Sequence, residues 1–121
     1  MKKSKRESID YIKDIADAIT KIEQFTQRMD YHAFAKDEKT VFAVIRAFEV
    51  IGEATKKISQ SIKTKYVNVP WREMTGFRDK LIHEYFGVIY EVLWRTVKED
   101  IPPLRPKVEQ ILKDLKTNSK N

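Results

Sequence analysis

The sequence contains no cysteine and few glycines, prolines or long apolar runs. Without cysteine it has no disulfides, thiolate metal ligands or cysteine nucleophile. Three glycines and four prolines are too few for a sheet protein that depends on tight turns. No apolar run approaches the roughly 20 residues of a membrane-spanning helix. The basic start is followed by polar residues where a signal peptide needs an apolar segment. We therefore expect a cytoplasmic protein with no membrane partner.

The net charge of +6 is concentrated at the two ends of the chain. Residues 1–8 carry +3 and residues 110–121 carry +2, which leaves +1 for residues 9–109. Lysines at chain ends are common solubility features, so the overall charge is weak evidence for nucleic-acid binding. With 121 residues, 35% charged and 41% hydrophobic, the composition indicates one folded helical domain and not a disordered chain.

Apolar residues recur at three- and four-residue spacing along most of the chain, the pattern of amphipathic helices. Residues 60–70 are polar and indicate a connector. Pro102, Pro103 and Pro106 mark a break and the first turn of a last helix, because proline is excluded from helix interiors. The sequence predicts an all-α, up-and-down bundle of four to five helices. The five predicted helices run from the N-cap Ser8 to about Arg28, from the N-cap Asp37 through Ile58, from Trp71 to about Phe86, from Ile89 to about Asp100, and from the prolines onward. A short turn of helix at Tyr31–Lys36 separates the first two.

The predicted third helix carries the residues with most chemical potential: Arg78, Asp79, His83 and Tyr85. On an ideal helix Arg78 and Tyr85 lie about 20° apart, and Asp79 and His83 are i,i+4 neighbours that could hydrogen-bond. His83 lies roughly 140° around the helix from Arg78, so one rigid helix cannot direct both at one point. Either Gly76 makes the helix irregular, or a second copy of the helix completes the site across a two-fold axis.

An arginine and a histidine together could cleave RNA without a metal. The imidazole exchanges a proton near neutral pH. The guanidinium binds two phosphate oxygens and stabilises the charge that develops in the transition state. The same residues also fit a structural interpretation, in which His83 has a structural role and Arg78 pairs with Asp79 or Glu84 on a solvated helix face.

Arg46 and Glu49 interrupt the apolar second long helix, and a buried charge needs a partner. They could form an intrahelical i,i+3 pair, or they could line a cleft and support Arg78 or His83. We predict no metal site, because the chain has two histidines and no cysteine, and no cofactor.

The pattern of an arginine, four residues, a histidine, one residue and a tyrosine at Arg78, His83 and Tyr85 resembles the signature of HepT-type toxins in the HEPN superfamily. The resemblance covers about residues 8–115. Its other parts are residues 44–54, residues 69–78, and residues 92–94 with 101–104. It implies a single HEPN-like domain over residues 1–121, with an ordered core of about 8–115 and a polar, basic tail at 116–121.

The resemblance implies a homodimeric, metal-independent endoribonuclease toxin that cleaves transfer or messenger RNA by 2′-OH transesterification, in clefts built from both protomers. Arg78 and His83 would be catalytic and Asp79 supporting, although asparagine is frequent at that position in the family. Tyr85 would be AMPylated by a nucleotidyltransferase antitoxin of the MNT type, similar to MntA. The alternative is a non-catalytic HEPN module that binds a nucleotide or a nucleotidyltransferase, which the near-neutral body of the chain favours.

Overall fold

The computed structural model describes residues 6–83 and 87–119, and most of these residues are helical. The prediction of an all-α bundle is confirmed. Four helices have ten or more residues, and shorter helices and one small hairpin connect them. The elements are α1 (Ser8–Thr26), α2 (Tyr31–Lys36), α3 (Glu38–Lys57), α4 (Gln60–Lys65), α5 (Trp71–Thr75), α6 (Phe77–Leu81), β1 (Ile82–His83), β2 (Gly87–Val88), α7 (Tyr90–Glu99) and α8 (Ile101–Ser119).

Aspartates begin α2 and α3, as the sequence predicts for α3. The Asp30 carboxylate accepts a hydrogen bond from the Ala33 N–H at 2.8 Å. The Asp37 carboxylate accepts one from the Thr40 N–H at 3.1 Å. Each bond satisfies a backbone donor that has no partner within its helix. The two caps fix the short α2 and its sharp connection to α3.

The start of α1 differs from the prediction, because Ser8 is not its N-cap. Glu7 precedes the helix, and its N–H donates to the Asp10 carboxylate at 2.8 Å. The Ser8 hydroxyl instead accepts a hydrogen bond from the Ser59 N–H at 3.0 Å. This bond places the beginning of α1 beside the end of α3, so the two long helices run antiparallel.

Helix α1 lies between α3 and α8 and contacts both of them extensively. Near the start of α8, Arg105 Nε donates to Glu23 Oε1 of α1 at 2.6 Å, and Arg105 Nη2 donates to the Thr20 hydroxyl at 3.1 Å. Arg105 Nη1 also donates to Glu109 within α8 at 2.9 Å. We call this cluster the α1–α8 clip. It sets the start of α8 against the end of α1, so these helices are also antiparallel.

The sixth residue of α8 is Pro106, which corrects the prediction that proline is excluded from this helix's interior. Its missing N–H removes one hydrogen bond near the N-terminus of the helix, and the helix continues to Ser119. The α1–α8 clip and three buried apolar side chains hold this part of α8 against the core. The buried side chains are Leu104, Val108 and Ile111.

The predicted connector at residues 60–70 contains the short helix α4, and the turn after it is fastened to α8. The Tyr66 hydroxyl donates to the Asp114 carboxylate at 2.6 Å. Burial, followed by this hydrogen bond, raises the pKa of Tyr66 to about 12. The same bond is the main reason that the pKa of Asp114 is lowered.

The core lies between α1, α3 and α8 and extends under α5, α6 and α7. It is built from the apolar stripes that the sequence predicts, and the three buried threonines donate their hydroxyls to backbone carbonyls one turn earlier. None of the described helices is long and apolar enough to cross a bilayer. The largest fully buried side chains are Phe34, Phe48, Ile12, Ile15, Ile19, Ile22, Ile51, Met74, Leu81, Leu93, Ile101 and Leu104.

Candidate active site

The predicted third helix is not continuous, which corrects the helix predicted from Trp71 to about Phe86. Helix α5 ends at Thr75, and Gly76 follows with φ −88° and ψ 3°, outside the usual helical values. Helix α6 ends at Leu81 and is followed by β1, whose residue His83 pairs with Gly87 of β2. The sequence left two arrangements open for the site, and the irregularity at Gly76 agrees with the one in which this glycine interrupts the helix before Arg78.

The helical geometry expected for the motif therefore does not apply beyond Leu81. Asp79 lies in α6 and the backbone of His83 lies in β1, so the two residues are not i,i+4 neighbours on one helix. Arg78 and Tyr85 are not joined by one continuous helix either, so the 20° separation predicted for them does not apply. The side chain of His83 and the whole of Tyr85 lie outside the described residues.

Helix α6 is held on α3 by aromatic packing immediately before Arg78. Phe77 is buried, and its ring meets that of Phe48 edge to face, with the centroids 5.1 Å apart. Such a pair fixes the orientation of both elements, because both rings are large and well packed. The backbone at Arg78 is therefore held against α3 by the preceding residue.

Glu49 lies between the side chains of Arg46 and Arg78. Its Oε1 is 3.8 Å from Arg46 Nη1, and its Oε2 is 3.6 Å from Arg78 Nε. The intrahelical pair and the support of Arg78, which the sequence left as alternatives, are both present. The expectation of a buried pair is wrong for the arginine, because Arg46 is 75% exposed and Glu49 is 29% exposed.

The contact between Glu49 and Arg78 leaves most of the guanidinium available. At 3.6 Å it is an ion pair and too long for a hydrogen bond. It involves Nε, and among the described residues the two terminal nitrogens of Arg78 have no hydrogen-bond partner. Arg78 is 62% exposed. The terminal nitrogens can therefore donate two hydrogen bonds to a phosphate or carboxylate ligand, in the bidentate geometry that suits guanidinium.

Arg78 opens onto a cleft of about 380 Å³ between α3 on one side and α5 and α6 on the other. Gly52 of α3 faces the end of α5, where a Cβ would be in ordinary van der Waals contact with the Thr75 carbonyl oxygen at 3.4 Å. The cleft brings together three predicted site residues, Glu49, Arg78 and Asp79, with residues that were not predicted. Its lining residues are Glu49, Gly52, Glu53, Lys56, Arg72, Thr75, Gly76, Arg78 and Asp79.

Three charged residues of this cleft, Glu53, Lys56 and Arg72, carry no distinguishing signal in the sequence. Glu53 and Lys56 look like an ordinary solvated helix face, and they do pair with each other at 3.2 Å. Arg72 precedes the glycine break and would be assigned to a different helical face if α5 and α6 were one helix. Only the close packing of α5 on α3 places the three residues beside Arg78.

Two aspartates of α1, outside the cleft, pair with cations. Asp14 pairs with Arg6 at 2.9 Å and Asp17 with Lys21 at 3.0 Å. Within the described residues, no three histidine or carboxylate side chains are grouped so that they could hold a metal ion. The charged groups that line the cleft are two guanidiniums, one ammonium and three carboxylates.

Comparisons with known proteins agree on one family. The family described as Ribonuclease HepT-like matches residues 15–111. A relative named "Probable ribonuclease HepT" from Thermococcus cleftensis is 55% identical over 109 residues, which are 90% of this chain and 99% of the relative. A Methanocaldococcus jannaschii protein whose name provisionally describes it as an RNase is 42% identical over 117 residues, 97% of each chain. No solved structure gives a significant match.

The helical fold and these matches define a ribonuclease of the HEPN type. The chain belongs to the HepT-like ribonuclease family, and its class is therefore that of the endoribonucleases. This confirms the resemblance on which the sequence analysis relied.

Proposed function

We propose that this protein is a metal-independent endoribonuclease toxin that cleaves transfer or messenger RNA. The observation that carries the proposal is the exposed guanidinium of Arg78, fixed at one side by Glu49 and open to a cleft at its terminal nitrogens. In a member of a ribonuclease family, such a group is suited to bind a phosphodiester. The proposal assigns the catalytic roles to Arg78 and His83.

The proposed reaction is an internal transesterification. His83 takes up the proton of a ribose 2′-OH, the 2′-oxygen forms a bond to phosphorus, and the bond between phosphorus and the 5′-oxygen breaks. The proton passes to the leaving 5′-oxygen, which leaves a 2′,3′-cyclic phosphate and a 5′-OH. Arg78 binds the phosphate oxygens and stabilises the additional negative charge of the transition state.

Three further residues support the two catalytic residues in this proposal. Glu49 holds the guanidinium through Nε, and Arg46 limits the negative charge that Glu49 presents to RNA. Asp79 lines the same cleft beside Arg78. We assign Asp79 a positioning role toward the imidazole of His83 and not a direct contact with RNA, because a carboxylate repels phosphate.

The chain's two histidines provide a matched test of the catalytic assignment. The His83→Ala variant should lose cleavage of an RNA oligonucleotide by a factor on the order of 100 to 10,000 in buffer containing EDTA. His32 lies in α2 and its Nε2 is 3.3 Å from Lys36 Nζ, so His32→Ala should retain wild-type cleavage. Unchanged cleavage by the His83→Ala variant would refute the catalytic role.

An exposed aromatic residue of α3 supports a homodimer. Phe42 is 65% exposed, four residues before Arg46 and seven before Glu49, so the three residues share one side of α3. Seven residues span about 10 Å along a helix. A groove of about 400 Å³ between α1 and α3, lined in part by Phe25 and Arg46, adjoins this side. A second copy docked here would lie beside the cleft of Arg78.

A mixing experiment tests whether each proposed site contains residues of both protomers. Arg78→Ala and His83→Ala protomers are inactive separately. If one protomer supplies the arginine and the other the histidine, mixed dimers contain one intact site and cleavage returns. If mixing verified heterodimers restores no cleavage, each site is built within a single protomer.

We further propose that a nucleotidyltransferase antitoxin of the MNT type silences the enzyme by AMPylating Tyr85. The tyrosine follows His83 by two residues, so an added phosphate would repel RNA close to the catalytic imidazole. Incubation with such an antitoxin and ATP should add AMP to the wild type and abolish cleavage. The Tyr85→Phe variant should remain unmodified and active. Modification at another residue would contradict this assignment.

The non-catalytic HEPN module remains the second candidate, supported by the balance of charges in the cleft. Its three acidic residues offset its three basic ones. A module of this kind would bind a nucleotide or a nucleotidyltransferase and generate no new RNA ends. The appearance of 5′-OH ends in the cleavage assay therefore decides between the two functions.

A further inference from the structure

The cleft next to Arg78 is larger than one phosphate requires. Its volume of about 380 Å³ falls in the range of pockets that bind small organic ligands. Arg78 occupies one part of the lining. Arg72 of α5 and Lys56 of α3 contribute two more cations to the same cleft. These cations need an explanation beyond the scissile phosphate.

Arg72 differs from the other two cations in having no partner among the described residues. Lys56 pairs with Glu53 at 3.2 Å, and Arg78 pairs with Glu49 at 3.6 Å. Arg72 is exposed, and no described residue forms a hydrogen bond or ion pair with its guanidinium. An unpartnered guanidinium in a cleft keeps all of its donors for a ligand.

The break at Gly76 places Arg72 and Arg78 along one cleft. Arg72 belongs to α5 and Arg78 to α6, and both helices pack on α3. Gly76, which lies between the two arginines in sequence, lines the same cleft. Two guanidiniums along one cleft suit a ligand with repeated phosphates, such as an RNA strand, and exceed what a single phosphate needs.

We propose that Arg72, with Lys56 across the cleft, binds a second phosphate of the RNA strand, next to the phosphate that Arg78 binds. This inference rests on the proposed ribonuclease function and extends it to the length of RNA recognised. Since Glu49, Glu53 and Asp79 offset the basic charge of the cleft, general electrostatic attraction is weak. Affinity for longer RNA therefore depends on the directed contacts of Arg72.

Binding of two oligonucleotides that cannot be cleaved tests the proposal. A 2′-O-methyl dinucleotide has one internucleotide phosphate, and a 2′-O-methyl tetranucleotide has three. The Arg72→Gln variant should bind the tetranucleotide about tenfold more weakly in NMR titrations. The slope of log binding constant against log salt concentration should become less steep by about 0.7. Binding of the dinucleotide should change by less than about twofold.

Arg95 provides the matched control, because it is exposed on α7, has no partner among the described residues and lies outside the cleft. Arg95→Gln should bind both oligonucleotides as the wild type does. Lys56→Gln should weaken tetranucleotide binding less than Arg72→Gln does, since Lys56 is already paired. Retention of charge in Arg72→Lys should restore part of the affinity.

Several results would overturn the inference. The first is that the wild type and Arg72→Gln bind the tetranucleotide equally well. The second is that Arg72→Gln weakens binding of both oligonucleotides to the same extent. The third is that the wild type does not bind the tetranucleotide. Cleavage of the unmodified tetranucleotide separates this inference from the proposed function. A wild type that binds as expected but does not cleave refutes the nuclease and leaves the second phosphate site intact. If the wild type cleaves the tetranucleotide and Arg72→Gln binds it as tightly as the wild type does, the second phosphate site is refuted and the nuclease function is retained.

Discussion

Two arginines of this protein each reach a glutamate on another helix, and the two contacts differ in every physical respect. Arg105 donates to Glu23, Glu109 and Thr20 at 2.6 to 3.1 Å and is 31% exposed. Arg78 lies 3.6 Å from Glu49 through Nε alone and is twice as exposed. Each nitrogen of the first guanidinium donates a hydrogen bond to another residue of the protein. The second keeps its terminal nitrogens for a ligand.

The comparison separates structural from functional arginines without reference to sequence motifs. Hydrogen bonds to charged groups contribute more when they are short and partly buried, whereas exposed ion pairs contribute little. The α1–α8 clip should therefore matter for stability, and the Arg78 cleft should matter for activity. The following changes test this division, from the largest expected effect to the smallest.

Replacing Arg78 should have the largest effect, and the effect should be on catalysis. Arg78→Gln removes the charge that we propose stabilises the transition state, so the cleavage rate should fall by a factor on the order of 100 to 1,000. The free energy of unfolding should change by less than about 1 kcal/mol, because the lost ion pair is exposed. Single-turnover cleavage and urea unfolding measure the two quantities. A large stability loss with intact cleavage would reverse the assignment.

Replacing Arg105 should have the opposite effect. Arg105→Gln breaks three hydrogen bonds at the contact of α1 and α8 and should lower the free energy of unfolding by about 1 to 3 kcal/mol. The cleavage rate per folded molecule should remain within about twofold of wild type at a temperature where both proteins are folded. A variant that is fully stable would show that the α1–α8 clip is dispensable.

The two glutamates give a smaller and more discriminating comparison. Glu49→Gln and Glu23→Gln are isosteric, and each removes the negative charge beside one arginine. Glu49→Gln should lower kcat by about tenfold with little change in stability, because Arg78 loses its lateral support. Glu23→Gln should lower stability and leave kcat unaltered. Identical profiles for the two variants would remove the distinction between the regions.

The smallest effect concerns the bond between Tyr66 and Asp114, a second contact that holds α8. The pKa of Tyr66 is raised to about 12, above the value near 10 of the unfolded chain. The folded state therefore binds the proton more tightly, so the contribution of Tyr66 is complete below about pH 10 and is lost as the pH rises through about 12.

The Tyr66→Phe variant should melt a few degrees below the wild type at pH 7 to 9, and the difference should disappear toward pH 12. Thermal unfolding followed by circular dichroism over this pH range measures it. At acid pH the direction follows Asp114, whose pKa is lowered, so stability is lost as the carboxylate protonates. A constant difference between wild type and variant over the whole range would exclude titration of Tyr66 as the cause.

The long helices could be predicted from the sequence because their signals are local. The apolar stripes of α1, α3 and α8 and the cap at Asp37 each depend on residues within a few positions. The predictions were wrong where the structure depends on a contact between residues that are far apart in the sequence. Ser8 is engaged by Ser59 and not by its own helix. Pro106 is accommodated in α8, which packs against α1 through the α1–α8 clip.

Only part of the cleft could be predicted from the sequence. Glu49, Arg78 and Asp79 are predicted site residues that line it, and the contact of Arg46 with Glu49 follows from i,i+3 spacing. The catalytic roles of Arg78 and His83 stay predictions. The break at Gly76 and the hairpin after Leu81 could not be predicted, because one glycine is compatible with a continuous helix. The cleft depends on this break, and so Arg72 had no signal in the sequence.

The chemistry of the RNA ends tests the central claim most directly. Purified wild-type protein and the Arg78→Gln variant are incubated with one RNA oligonucleotide in EDTA, and the products are identified by mass spectrometry. We predict 2′,3′-cyclic phosphate and 5′-OH ends from the wild type and almost none from the variant. Products with 5′-phosphate ends, or equal cleavage by both proteins, would contradict transesterification at Arg78.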